Sequence, residues 1–261
     1  MRISRCLRWP PTPIDAVSPA SSPTEPESAP SARGIRVLAF DTFGTVTDWL
    51  SGISSAIATE VPDADAREVA RQWRRRYGPI LARVESGELP WRGLDALQTE
   101  TLHDVAESMG LDLDDATTAR LVHAWRTIPG WPDAGAGLAR LRRRFTVCAL
   151  SNASVAMLTE MAKHNGFGWD FIGGADLWHH YKPSPHTYLG LAALMEVQPG
   201  EVMMVATHQS DLDAARSHGL RTAFIERPLE WGEPTLKDDS GSPANTVHAC
   251  DILDLADQLG C

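Results

Sequence analysis

Cysteine is scarce in this chain of 261 residues: Cys6, Cys148, Cys250 and Cys261 lie far apart, with no CxxC pair and no zinc-ligand spacing. That spacing excludes a dense disulfide framework, and the four are read as reduced thiols of a cytoplasmic protein. A basic surplus is missing too. The net charge of −10 argues against a general affinity for nucleic-acid phosphates, which needs a basic face. The basic clusters RQWRRRY and LRRRF suit the decoration of a helix or the lead into a strand. No apolar stretch approaches the roughly 20 residues of a membrane-spanning helix, so no membrane partner is expected. The first 33 residues are crowded with proline and serine and hold no apolar signal core, which predicts a disordered tail over 1–33. Asp15, Glu25 and Glu27 speak against an organelle transit peptide.

From Gly34 onward, short apolar runs alternate with helical patterns, as in a parallel sheet covered by helices. Strands are predicted over 35–41, 145–151, 171–176, 201–207 and 221–226, with an edge strand near 247–252. The interval from about 50 to 130 breaks this rhythm with Trp, Arg, Glu and Ala at helical spacing. The expected organisation is a Rossmann-like α/β core over 34–49 and 130–261, interrupted by an inserted helical cap over 50–129. PGWPDAG returns the chain to the core, and AGAGLAR has neither the third glycine nor the preceding strand of a dinucleotide site.

Ligands of an open parallel sheet bind beyond the carboxyl ends of its strands. Four polar clusters fall there: Asp41 with Thr45, Ser151 with Asn152, Lys182 in HHYKPSPHTY, and His208 with Asp211 in ATHQSDLDAA. Each alone has an ordinary reading as a helix cap or a solvated side chain. Together and in this order they are specific.

These motifs resemble those of the haloacid dehalogenase superfamily, over residues 35 to about 258. The resemblance implies a nucleophilic Asp41 and a flap leading into the cap. Two departures set the chain apart from the superfamily's phosphatases. Phe43 stands where they carry a general acid, and Thr207 where they carry a magnesium ligand. Phosphoryl transfer relies on such groups. An aromatic residue at this position instead resembles the hydrolytic (type II) 2-haloacid dehalogenase branch, because halide needs no proton to leave.

That likeness implies no metal and no cofactor, with a small halocarboxylate as substrate. Asp41 would displace halide and form an ester that water cleaves. Thr45 would hydrogen-bond Asp41, and Phe43 would wall off water. Arg74, with Arg75 or Arg76 as the alternatives, would receive the halide. Ser151 would bind the substrate carboxylate, with Asn152 close to the halide. Lys182 and Tyr188 would steady the site, and Asp211 would position water. His208 departs from the best-known members. Titrating near neutrality, it is expected either to serve ester hydrolysis as a base, alone or with Asp211, or only to pack against that helix.

His179, His180 and His186 read as loop or cap residues rather than a metal site. Trp49, Trp73 and Trp125 are candidates to line a small pocket under the cap, and TAFIERPLEWGEP reads as structural. A homodimer is the assembly the family suggests. A magnesium phosphatase, a hydrolase of another small electrophilic carbon and a non-catalytic scaffold are the rival readings.

Overall fold

The computed structural model describes residues 33–234 and 241–261. The tail expected over 1–33 lies outside them but for its last residue. Strands β1 (Val37–Phe40), β2 (Thr146–Ser151), β3 (Phe171–Gly174), β4 (Val202–Ala206), β5 (Arg221–Ile225) and β6 (Val247–Ala249) form one parallel sheet in the order β3-β2-β1-β4-β5-β6. β1 and β4 are buried at every residue, as expected of strands covered on both faces. From β1 the chain goes to β2 on one side and later to β4 on the other. The crevice at this switch point opens at the end of β1, where Asp41 stands.

Four α-helices follow β1 before the chain comes back to the flap at Gly130: α1 (Trp49–Glu60), α2 (Ala66–Glu85), α3 (Leu94–Met109) and α4 (Asp115–Ala124). Asp48, Asp65 and Asp114 cap three of these with their carboxylates. The four pack around their own apolar cluster, in which Trp49, Trp73, Trp125 and Leu97 are buried. Phe43 belongs to this cluster although it lies only two residues beyond Asp41. Helices α5 (Ala134–Leu141), α6 (Val155–Asn165), α7 (Pro185–Leu194), α8 (Gln209–Ser217) and α9 (Ile252–Gln258) cover the sheet. Their boundaries follow local chemistry. The Ser154 side chain caps α6, which stops at Gly166 in the left-handed region, and Pro185 opens α7.

Residues 42–48 make a tight flap. Thr47 and Val46 both donate to the Thr42 carbonyl, and Thr47 bridges to Gly130 on the returning chain. Gly44 has φ +89, and a Cβ there would lie 2.0 Å from Glu230 Oε1. Only glycine admits both the backbone conformation and the close approach. Arg227 fastens this loop from the other side. Its Nε donates to the Thr45 carbonyl, and its two terminal nitrogens fork onto Asp133 at 2.8 and 2.7 Å.

Among the described residues Cys148 and Cys261 are free thiols, and Cys6 lies outside those residues. Burial pushes the Cys148 thiol up to about 12, leaving it inert. Among the described residues no helix is long and apolar enough to cross a membrane.

Candidate active site

Asp41 continues β1 past its last ladder residue and donates its backbone N–H to the Val205 carbonyl at 3.0 Å. Its side chain is buried and held at both oxygens. Thr45 Oγ1 donates to Oδ2 at 2.8 Å, and Lys182 Nζ donates to Oδ1 at 3.0 Å. Thr45 Oγ1 in turn accepts the Thr207 backbone N–H at 3.0 Å, which fixes the direction of its own hydrogen. Lys182 also donates to Asp211 Oδ2, and the Tyr188 hydroxyl donates to Asp211 Oδ1 at 2.6 Å. Asn152 Oδ1 accepts from the Lys182 backbone N–H at 2.6 Å, so the residue after β2 sets the lysine in place.

Burial alone would raise the Asp41 carboxyl, but the Lys182 ammonium and the His208 ring outweigh it and hold the group well below the usual carboxylate range. Lys182 is likewise disfavoured by burial, yet Asp211 and Asp41 keep it charged beyond its ordinary range. Burial, then Asp211, raises the Tyr188 phenol, which stays a proton donor.

His208 sits where the sequence places it but not with the partner expected. Its Nδ1 lies 3.5 Å from Asp41 Oδ2, and its Nε2 lies 2.8 Å from Glu230 Oε1, a carboxylate in the loop after β5. Trp49 Nε1 donates to the same Glu230 oxygen at 3.1 Å. Burial opposes the imidazolium, but Glu230 and Asp41 prevail and raise the group to about 9. The expectation of a histidine titrating near neutrality is therefore corrected for the resting site: between two carboxylates it is a cation.

These groups border a cavity of about 410 Å³, a size suited to a small ligand. Asp41, Lys182, His208 and Asp211 line its sheet side, and Phe43, Arg74 and Tyr77 line its helical side. Arg74 is the arginine of its run that stands over the site. Its guanidinium carbon lies 4.3 Å from the Tyr77 ring centre, 5.6 Å from Trp49 and 5.8 Å from Phe43. Arg75 lines the outer rim and pairs with Glu68, while Arg76 bonds to the Gln72 carbonyl and Ser108. Ser151 lies one layer deeper. Its hydroxyl is 2.7 Å from that of Thr42, and it does not line the cavity, so direct contact with a ligand is not the role its position displays. His180 instead pairs with Glu85 of α2 and stacks on His186, and His179 stacks on Trp91.

Sequence reasoning missed Tyr77, Glu230 and Trp231. Tyr77 and Trp231 line the cavity, and Glu230 holds His208. For Glu230 the available signal is an acid close behind a strand at the carboxyl edge of the sheet, in a run that otherwise reads as structural.

The donor set does not suit magnesium. The carboxylates of Asp41 and Asp211 are bridged by one ammonium group, and neither Phe43 nor Thr207 adds a carboxylate beside them. Among the described residues no group of three or more His, Cys, Asp or Glu could hold a metal ion.

Residues 35–219 match the profile of the haloacid dehalogenase-like hydrolases. A relative from Pseudomonas sp. (strain CBS-3), (S)-2-haloacid dehalogenase 1, is 30% identical over 74% of this chain and 85% of its own. The crystal structure of a defluorinating L-2-haloacid dehalogenase superposes with a TM-score of 0.85 at 39% identity, covering 90% of this chain and 100% of that one. A second L-2-haloacid dehalogenase gives 0.83 at 39% identity, covering 87% and 100%.

Proposed function

The chain belongs to the haloacid dehalogenase-like hydrolases, and from that premise we propose that it hydrolyses short 2-haloalkanoic acids to 2-hydroxy acids through an ester on Asp41, without a metal. One observation carries the reading. A buried, ionised carboxylate faces a small cavity whose opposite wall is a guanidinium set among aromatic rings, with Nη1 unpartnered among the described residues. That arrangement favours displacement of a leaving group that departs as an anion and needs no proton.

In the first step an Asp41 carboxylate oxygen bonds to C2 of the substrate as the carbon–halogen bond breaks, with inversion. The bonding pair leaves with the halide toward Arg74. Lys182 and Thr45 hold the nucleophile in line, where proximity supplies much of the rate. Phe43 keeps water from the approach. In the second step water attacks the carboxyl carbon of Asp41, returning the carboxylate, the 2-hydroxy acid and one proton.

Alkylation removes the charge of Asp41 and with it part of what keeps His208 protonated. The ring then gives up its Nδ1 proton to solvent. Glu230, still bonded at Nε2, keeps the free nitrogen facing the ester, so that His208 takes the proton of the attacking water. His208→Ala therefore accumulates an Asp41 ester, seen as added mass on the intact protein after a burst of halide. Rapid full turnover without an adduct would rule this step out. In the resting enzyme the imidazolium offsets negative charge beside an anionic substrate. kcat/KM accordingly holds at neutral pH and falls as pH rises through about 9. In Glu230→Gln, which removes one of the carboxylates that raise His208, the fall moves to lower pH.

The helical segment over 50–129 serves as the cap of this site, and the cytoplasm and a homodimer, checked by light scattering, belong to the same reading. The deciding assay incubates the protein with (S)-2-chloropropionate and EDTA in ¹⁸O-labelled water. Chloride release that ignores the chelator, with label appearing in the peptide carrying Asp41, is the expected result. Magnesium-dependent phosphate release from esters, with no halide release, would replace this function with a phosphatase.

A further inference from the structure

Behind Arg74, α2, α3 and Trp125 border a second, much smaller chamber. It is lined among others by Tyr77, Gln98, Leu94, Ile80 and Trp125. The space open to the centre of a water-sized sphere is about 10 Å³, room for one small occupant. Its polar atoms are unusual for a core. Gln98 is 4% exposed and Trp125 is 2% exposed. Among the described residues neither Gln98 Oε1, Gln98 Nε2, Trp125 Nε1 nor Arg74 Nη1 has a hydrogen-bond partner. Buried polar groups are nearly always satisfied, and each orphan carries a desolvation cost. The three residues that carry these atoms, Gln98, Trp125 and Arg74, all line this one chamber, which marks it as a site for something small.

The chemistry of the wall selects the occupant. Trp125 Nε1 and Arg74 Nη1 can only donate, and Gln98 Nε2 donates as well, against the single acceptor Gln98 Oε1. The guanidinium is permanently charged, and no carboxylate lines the chamber. The rest of the wall is apolar and aromatic apart from Thr101, whose hydroxyl is already bonded to Trp73 and the Leu97 carbonyl, and such a wall suits a weakly hydrated monatomic anion. Arg74 and Tyr77 border both this chamber and the cavity of Asp41, so they form the partition between them.

We propose that this chamber, walled by Gln98, Trp125 and Arg74, is a second halide site, into which the halide passes behind Arg74 after displacement. That the halide arises by displacement rests on the function proposed above; binding of the ion does not. A halide parked there is removed from the line of the ester, where it could otherwise reverse the first step by attacking C2.

The test is a crystal of the full chain soaked in a bromide concentration series, with anomalous diffraction measured at the bromine edge. Two peaks are expected, one beside Arg74 in the cavity and one between Gln98 and Trp125. Trp125→Phe and Gln98→Leu, which keep apolar bulk but remove donors, should abolish the inner peak or raise the bromide concentration it needs roughly tenfold, while the outer peak stays. An inner chamber holding only water at saturating bromide overturns the proposal, as does an inner peak unchanged in both variants. If the protein releases no halide from haloacids but the inner peak appears, the proposed function fails and the anion site stands. Turnover without the inner peak is the opposite outcome.

Discussion

Asp41→Asn brings chloride release from (S)-2-chloropropionate down by at least about 10,000-fold, the scale seen when a covalent nucleophile is removed. The substituted side chain would keep the volume and one acceptor oxygen, yet an amide cannot form the ester, and its NH₂ would face Lys182 or the His208–Thr45 side. The fold survives, because Lys182 keeps its bond to Asp211 and the strand contacts at this position are backbone ones. Far-UV circular dichroism should therefore match the parent while chloride electrode readings fall to background. The depressed Asp41 carboxyl also sets the acid side of the profile. It stays ionised down through the pH range of ordinary carboxylates, so any loss of first-step rate between pH 5 and 7 has another origin. Substantial chloride release by the variant would remove Asp41 from the chemistry altogether.

Arg227→Ala is expected to lower stability by about 3–5 kcal/mol, because it strands the carboxylate of Asp133 in a largely buried place. For a chain of this size that is a fall in Tm of roughly 10 °C, read by calorimetry. Three parts of the molecule meet at the pair. Arg227 holds the flap through the Thr45 carbonyl, and Asp133 also accepts the backbone N–H of Ile252 at the start of α9. Burial raises the Asp133 carboxyl, but its bonds to Arg227 bring it below its ordinary value. A depressed carboxyl lends stability that is present above its unfolded value of about 4 and lost as pH falls below it. The gap in Tm between parent and variant should thus close toward pH 3. Arg227→Lys, which keeps charge but not the fork, should recover only part of the loss. An unchanged Tm at pH 7 would show that the pair is not a fastening point.

Much of this is legible in the residue order, for identifiable reasons. β1 declares itself because a continuous apolar run stops at Asp41, and the parallel sheet follows from the alternation of such runs with capped helices. Asp41, Asn152, Lys182 and Asp211 come together because each follows a strand of that sheet or the helix leading from one, and strand ends converge. Glu230 is not legible. It lies in an irregular loop whose approach to His208 depends on Gly44 leaving room, and no periodicity encodes that. The charge state of His208 escapes sequence reasoning for the same reason, since it is set by that missed carboxylate. Ser151 is placed correctly on the chain, but its depth depends on the hydroxyl of Thr42, which the flap turns toward it.

Phe43 ties two events that could have been separate. Its ring lies 5.3 Å from Trp125 and 6.3 Å from Tyr77, edge-on to both, so it is fastened to the helical segment while its backbone belongs to the loop of Asp41. Lifting the helices away would pull on the aromatic ring and hence on the loop two residues from Asp41. Admission of solvent and misalignment of the carboxylate are then the same motion. On the mechanism proposed above, a site wired this way has no open form that is also armed, and its carboxylate is idle whenever the door is ajar.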